Sequence, residues 1–430
     1  MKLKRLLSVL DVCECTADPE LDVRDISFDS RTTQPGDLFA AVCGYESDGH
    51  RFIGAAVARG AAVVLCQKKP EVDIPYILVA DSRLALSRIC CEFFDNPSRE
   101  LTMIGVTGTN GKTTVTTLIK HMLEQCLHTK VGLIGTNANV IGDEVLHTEH
   151  TTPDAYELQK LLRRMVDAGC THAVMEVSSH SLVLHRVEGI RFRVGIFTNL
   201  SQDHLDFHKT MEAYAAAKAQ LFAQSDVGIV NADDDWAHVM LEHAKCPMHT
   251  YSAKRNDADL VAKDIRLSAS GVRFVAMHGD AIARMRLGIP GMFSVYNALS
   301  VIACACALGV SLDDCAAALE SVGLDAYVGF LHRDRPGRTS LALDLVEELR
   351  PCFADRFVLS LINNRVIAAG DLVRTDSGAV LLTDTGRKKF LRAWQERKRD
   401  TITHPYLKEK IAWGLVPYVQ ALLLARYLRD

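Results

Sequence analysis

Lys112-Thr113-Thr114 closes the glycine-bearing stretch Gly105-Val106-Thr107-Gly108-Thr109-Asn110-Gly111. Residues of these types at this spacing hold a nucleoside triphosphate. Backbone N–H groups of the turn face the phosphates, the Lys112 ammonium neutralises the outer ones, and the Thr113 hydroxyl reaches Mg²⁺. Gly108, Thr109, Asn110, Gly111, Lys112, Thr113 and Thr114 are therefore the expected ATP-binding residues. The strict pattern G-x-x-x-x-G-K-[ST] is missed at its first position, where Val106 stands. Two further groups could do chemistry. Glu176 ends the apolar run His172-Ala173-Val174-Met175, which makes it a second Mg²⁺ ligand or a water-orienting group. The loop Thr198 to His208 carries two His and two Asp, His204 among them.

The elements that must position these residues follow from periodicity. The apolar lead-in Leu101 to Ile104 predicts a buried strand, and Val115 to Leu127 has helical spacing, so the glycines fall at a strand-to-helix turn. Strand-like runs at Thr102 to Val106, His172 to Val177, Val194 to Phe197 and Gly228 to Val230 alternate with helices, predicting a doubly wound parallel sheet over residues 98–321 that ends in helices Ser294 to Ala307 and Ser311 to Glu320. Residues 1–97 read as a small α/β unit, with Asn96-Pro97-Ser98 as the turn that links it onward. From 323 to 430 the pattern turns mainly α-helical. The fold class expected is thus α/β with a helical C-terminal segment. Within that segment, helix Ser340 to Leu349 sets Asp344 and Glu347 three apart, where with His332 they form a candidate His/carboxylate metal site.

A chain of 430 residues, 48% hydrophobic and 24% charged, has room for about three cored domains. Its 13 Cys contain no C-x-x-C pair, which predicts reduced thiols and a cytoplasmic setting. Neither a signal peptide nor a membrane span is expected. The net charge of −4 conceals an asymmetry: from Gly323 onward there are 18 Lys and Arg against 13 Asp and Glu, so the acidic excess belongs to the preceding residues. The C-terminal surface permits a nucleic-acid partner that the body does not encourage.

The first 320 residues resemble the Mur ligases, in the branch that adds the third amino acid to the peptidoglycan precursor. The matching stretches include Asp29-Ser30-Arg31, Gln34 to Phe39, Asp48-Gly49-His50, Thr107 to Thr114, Thr151-Thr152-Pro153-Asp154, Glu176 to His180, His185-Arg186-Val187, Thr198-Asn199-Leu200, Asp203 to Asp206, Asn231 to Asp234, and Gly291 with Tyr296-Asn297-Ala298. The resemblance implies that residues 1–97, Ser30 among them, bind the UDP end of a UDP-muramoyl-peptide. Thr151, Thr152, Ser178 and Arg186 would hold the muramoyl part, Glu176 and His204 would bind Mg²⁺, and Asn297 would contact adenine. Lys218 matches a lysine that the family carbamylates, turning a cation into an anionic oxygen ligand. Lys112, Glu176, His204 and Lys218 form the implied catalytic set. The implied reaction is ATP-dependent: the carboxylate of UDP-N-acetylmuramoyl-L-alanyl-D-glutamate becomes an acyl phosphate, from which an amino acid amine displaces phosphate. His150 stands where the family usually has Asn, and Leu184 where some members have a polar contact.

Near Ser321-Val322 this resemblance stops, and the family's third domain, which closes over ATP and selects the amino acid, has no counterpart in residues 323–430. Those residues instead resemble the C-terminal part of the CRISPR-associated integrases of subtype I-C, on Gly329 to Arg338, Leu343 to Pro351, Leu382 to Lys388, Trp394 to Lys398 and Trp413 to Pro417. That resemblance implies that His332 and Glu347 are two of three ligands to a divalent metal for DNA strand transfer, with DNA and a CRISPR integrase subunit as partners. The third ligand and the family's N-terminal β domain have no match. The chain therefore reads as two incomplete enzymes joined at about residue 322, with amide ligation impaired and an integrase or endonuclease activity as the alternative.

Overall fold

The computed structural model describes residues 1–323 apart from 45, 46, 149, 269 and 270, together with the backbone of 372–374 and 380–382. Two compact units result: residues 1–112, 127–144 and 148–250 form the first, and residues 113–126, 145–147 and 251 onward the second. No helix among the described residues is long and apolar enough to cross a membrane.

The first unit opens with α1 (Leu3–Leu7), β1 (Val12–Cys15), β2 (Ile26–Ser27), β3 (Leu38–Ala40), α2 (Ile53–Ala58), β4 (Val63–Cys66), β5 (Tyr76–Val79) and α3 (Ser82–Phe93). The strands form one five-stranded sheet in the order β1-β5-β4-β3-β2, parallel except for β1. β4 is buried at every position, the signature of a strand covered on both faces. α3 starts where Asp81 accepts from the N–H groups of Arg83 and Leu84. Its Ser87 hydroxyl donates to the His185 carbonyl at 2.6 Å, which fastens this region to the loop that carries Arg186.

Then come β6 (Thr102–Thr107), α4 (Lys112–Leu127), β7 (Val131–Ile134), β8 (Asn139–Ile141), β9 (Glu144–Leu146), α5 (Ala155–Asp167), β10 (His172–Glu176), α6 (Ser179–Val183), β11 (Phe192–Phe197), α7 (Leu205–His208), α8 (Met211–Ala223), β12 (Ser225–Asn231), α9 (Ala237–His243) and β13 (Met248–Ser252). β12, β11, β6, β10 and β7 lie side by side and parallel, with β6 in the middle. In register, Glu176 pairs with Val106 and Phe197 with Thr107, so the chain leaves β6, β10 and β11 at one edge. Side chains at the ends of those three strands gather there, as expected for an open parallel sheet.

The second unit contains α4 from Thr113 to Cys126, with β14 (Leu260–Ser268), β15 (Gly271–His278), β16 (Ala281–Leu287), α10 (Met292–Ala307) and α11 (Leu312–Glu320). Here the expectation of a parallel sheet through residue 321 is corrected, because β14, β15 and β16 are an antiparallel meander. The signal is in the residues: Ala281 to Leu287 alternates exposed and buried positions, the period of a strand with one wet face. Ser311 caps α11 by accepting from the Asp314 N–H. Beyond α11, the Val322 carbonyl accepts from Gly288 N–H at 2.9 Å and Gly323 bridges Gly288 in parallel. The helical reading of 323–430, with His332 and Glu347, lies outside the described residues. The elements described there are β17 (Leu372–Arg374) and β18 (Val380–Leu382), an antiparallel pair.

Candidate active site

β6 ends at Thr107, and the chain turns through Gly108 to Gly111 into α4. Gly108 has φ 144° and Gly111 φ 88°, values that strain any L side chain. A Cβ at position 108 would also stand 2.0 Å from Thr198 Oγ1, so glycine is required there twice over. The loop after β11 clamps the turn: Asn110 O accepts from Thr198 Oγ1 at 2.8 Å and from Asn199 Nδ2 at 2.9 Å, and Asn110 N–H donates to Asn199 Oδ1 at 3.0 Å. Thr109 N–H donates to Asn199 O at 2.8 Å. Two of the N–H groups expected to face phosphate are therefore engaged by Asn199.

Two lysines converge on this turn. Lys112 Nζ donates to the carbonyls of Gly108 at 2.9 Å and Thr109 at 3.0 Å, and Lys218 Nζ donates to the same Gly108 oxygen at 2.9 Å. Dehydration pushes the Lys112 pKa down from the ordinary lysine value, while Glu176 and Asp203 pull it back up. Lys218 is 1% exposed and lies over the Tyr214 ring, 4.5 Å from its centroid. Burial first, and then the neighbouring Lys112 charge, push its amine well below the ordinary range. Lys218 is thus enclosed, unlike the exposed lysines usual on a helix surface. α8 is alanine-rich and buries Tyr214, Ala215, Ala219 and Phe222 against Phe197 and Val230, which carries Lys218 inward with them.

Glu176 is buried at the end of β10. Its Oε1 accepts from Thr136 N–H at 2.9 Å and its Oε2 from Thr136 Oγ1 at 3.0 Å, so both oxygens are aimed while lone pairs remain. The residues implied to hold substrate join it. Thr151 Oγ1 shares a 3.0 Å hydrogen bond with Thr136 Oγ1, Thr152 Oγ1 donates to Glu176 O at 2.8 Å, and Ser178 N–H donates to Thr152 Oγ1 at 3.1 Å. Arg186 Nη1 donates to Thr152 O at 3.0 Å. Ser178 also caps α6.

His204 opens α7 with φ 52°, half-exposed, its backbone N–H donating to Asp203 Oδ1 at 2.9 Å. Its ring stands edge-on to His180, with centroids 5.0 Å apart. Behind them His208 is buried, its Nε2 sharing a 2.8 Å hydrogen bond with Ser179 Oγ and its ring 4.9 Å from that of Tyr214. Burial pushes the His208 imidazole down to about 4, helped by His180, Lys218 and His204. Sequence reasoning identified His204 but gave no role to Tyr214, Thr136, Asn199 or the burial of His208. The two polar residues of the Thr198-Asn199 pair, placed directly after an apolar strand, were the available signal for the clamp.

In the five-stranded part, Ser30 is buried beside the fork in which Arg31 Nε and Nη2 grip Asp29 at 3.0 and 2.6 Å. Cys43, Asp48 and His50 bring three donor atoms within 4.8 Å of one another, a grouping that invites a metal. The hydrogen bonds argue otherwise. His50 Nε2 accepts from Gln67 N–H at 2.9 Å, so the ring proton sits on Nδ1, which donates to Asp48 Oδ1 at 2.6 Å. Neither nitrogen has a lone pair to spare, and Lys68 Nζ takes the other Asp48 oxygen at 2.9 Å. Thr113, Thr114 and Asn297 belong to the second unit. There Thr113 O accepts from Thr116 Oγ1 at 3.1 Å, and Asn297, buried on α10, accepts from Ser300 Oγ at 2.7 Å through its backbone carbonyl.

Comparison with known proteins places this geometry in context. Residues 22–93 match the model described as Mur ligase family, catalytic domain, and residues 106–305 the Mur ligase middle domain. Residues 309–396 match CRISPR associated protein Cas1. UDP-N-acetylmuramoyl-L-alanyl-D-glutamate--2,6-diaminopimelate ligase of Caldanaerobacter subterraneus is 44% identical over 314 residues, 72% of this chain and 64% of that protein. The Clostridium perfringens protein of the same name is 40% identical over 351 residues, 80% of this chain and 72% of that one. A solved structure of a ligase of that name superposes with TM-score 0.68 at 29% identity, covering 75% of this chain and 66% of the other. The D-alanyl-D-alanyl ligase of Acinetobacter baumannii shares the fold, with TM-score 0.53 at 23% identity and coverage of 75% and 68%. The chain spans 64% to 65% of the length of the first three curated relatives that it matches.

Proposed function

The chain belongs to the Mur ligase family, and from that premise we propose that it binds ATP and UDP-N-acetylmuramoyl-L-alanyl-D-glutamate and forms the acyl phosphate on the latter. The observation that carries this reading is the convergence of Lys112 and Lys218 on the Gly108 carbonyl, in a turn clamped by Thr198 and Asn199. The buried Lys218 amine and the partly buried Lys112 amine on one oxygen make a locally positive, largely dehydrated site, suited to a polyphosphate and to conversion of one amine into an anion. By likeness to the relatives' printed names, the amino acid that completes the reaction is 2,6-diaminopimelate. Addition of that residue depends on the portion of those relatives' length that this chain does not match.

In this reading residues 1–97 take the UDP end, with Ser30 among the contacts, and residues 98–321 take ATP. Thr151, Thr152, Ser178 and Arg186 orient the muramoyl peptide. The donor set suits Mg²⁺: the aimed carboxylate of Glu176 is a hard oxygen ligand, a carbamate on Lys218 would be another, and His204 is exposed enough to reach an ion. Bound there, Mg²⁺ would neutralise charge on the phosphoryl group in transfer. Lys112 would hold the outer phosphates, and the Thr136 and Thr152 contacts would fix Glu176. The roles of Thr113, Thr114 and Asn297 toward ATP rest on the resemblance alone.

Titration with a fluorescent ATP analogue, followed by ADP release on addition of the UDP-muramoyl dipeptide, tests the proposal. Dipeptide-dependent ADP release that disappears in Lys112→Ala is the expected result, and equal nucleotide affinity in that variant would overturn it. A second reading rests on the match of residues 309–396: the segment from 323 to 430 would bind duplex DNA, with His332 and Glu347 holding a divalent metal. Its test is salt-dependent retention of a DNA duplex by the whole chain. No retention at low salt would remove it.

A further inference from the structure

Thr107, the last residue of β6, is fully buried, and its hydroxyl is the one among the described residues that is both enclosed and without a hydrogen-bond partner. A buried hydroxyl with no partner costs about 1–3 kcal/mol, so an occupant for it is to be expected. The direction in which it faces follows from the sheet. Thr107 pairs in register with Phe197, whose ring packs among Tyr214, Ala215, Ala219 and Phe222 of α8. Gly105, two residues earlier on the same face, would place a Cβ 3.0 Å from Leu221 of α8. Lys218 lies one helical turn before Leu221, and its amine donates to the carbonyl of Gly108, the residue after Thr107. The orphan hydroxyl and the buried amine therefore face each other's neighbourhood between β6 and α8.

We propose that the Thr107 hydroxyl is the donor that receives an oxygen of a carbamate formed on Lys218. The inference rests on the carbamate reading of Lys218 and adds to it the residue that positions the group. In the step, carbon dioxide adds to the neutral Lys218 amine. A nitrogen–carbon bond forms, one C=O π bond opens to carry the negative charge, and the amine proton leaves to a solvent base such as bicarbonate. Thr107 then holds one carbamate oxygen by a charge-assisted hydrogen bond, and its own unmet donor is satisfied in the same act. Because it acts through Lys218, Thr107 is a positioning residue.

The test is ¹³C NMR of the full chain equilibrated with ¹³C-bicarbonate, read as carbamate signal against bicarbonate concentration. Wild type is expected to show a carbamate resonance that Lys218→Ala lacks. Thr107→Val, which keeps shape and removes the donor, is expected to need about tenfold more bicarbonate for half-occupancy, the size of one hydrogen bond to a charged group. Thr107→Ser, which keeps the donor, should stay near wild type. A wild-type signal with an unchanged midpoint in Thr107→Val overturns the role of Thr107 and leaves the carbamate standing. An equal shift in Thr107→Ser assigns the effect to lost packing and also overturns it. No resonance in wild type overturns the carbamate and this inference together.

Discussion

Two polar clusters in the first unit, each drawing in a lysine, differ in how fully they are satisfied. Around His50 every position is filled: Nε2 by the Gln67 amide, Nδ1 by Asp48, and the second Asp48 oxygen by Lys68. Around Gly108 two amines crowd one carbonyl oxygen while the Thr107 hydroxyl beside them has no partner. The closed set is a brace for the chain that precedes α2. The open set is poised to receive something, since capacity left over in a buried place is costly unless a ligand or modification uses it.

The largest effect expected from breaking this contrast is at the turn. Gly108→Ala forces a side chain onto φ 144° and into Thr198, and should abolish measurable ATP-analogue binding while lowering stability by roughly 2–4 kcal/mol, checked by nucleotide titration and chemical denaturation. Lys112→Ala should weaken the same binding by about 100-fold or more with a fold stability within about 1 kcal/mol of wild type, because it removes charge without opening a large cavity. In the closed set, Asp48→Asn should cost about 1–2 kcal/mol at neutral pH, the size of a charge-assisted contact. Lys68 and then His50 hold the Asp48 carboxyl below its ordinary range, so its contribution is present above about pH 4, the unfolded value, and fades as acid approaches the folded one. The gap between variant and wild type in urea midpoints should close correspondingly below about pH 4. The smallest effect belongs to Cys43→Ala, whose thiol makes only 3.8 Å contacts. It should shift stability by less than about 1 kcal/mol, and added Zn²⁺ should raise the melting temperature of neither form.

The turn was legible because glycine, lysine and threonine there answer to backbone geometry and charge, which are local. Glu176 at a strand end was legible for the same reason, given parallel strands. The burial of Lys218 was harder to see, since its helix shows little contrast between faces, although the flanking Ala215-Ala216-Ala217 run already marked close packing. The clamp by Asn199 depends on register between β6 and β11, which brings together Asn110 and Asn199, 89 residues apart in sequence; the polar Thr198-Asn199 pair after an apolar strand marks one half of the contact, and no local pattern names its partner. The antiparallel meander of Leu260 to Leu287 is the opposite case: its alternation is local, and the pull of a parallel-sheet reading outweighed it. Resemblance supplied the expectation that Thr151, Thr152, Ser178 and Arg186 hold substrate, and the structure adds that Ser178 and Arg186 are tied through Thr152 to Glu176.

The bridge at Gly288 bears on the place where the two family likenesses meet. The Mur middle-domain match ends at 305 and the Cas1 match begins at 309, yet the backbone remains knitted to β16 as far as Gly323. Any side chain at 288 would collide with Gly323 Cα, 2.7 Å from where its Cβ would stand, so this seam needs glycine to close. Mechanically, the seam is a strain relief: tension entering from residue 324 onward must first peel the Gly288–Val322 contact before it can unwind α11. A tug from beyond residue 323 thereby meets the edge of a sheet before it reaches α11.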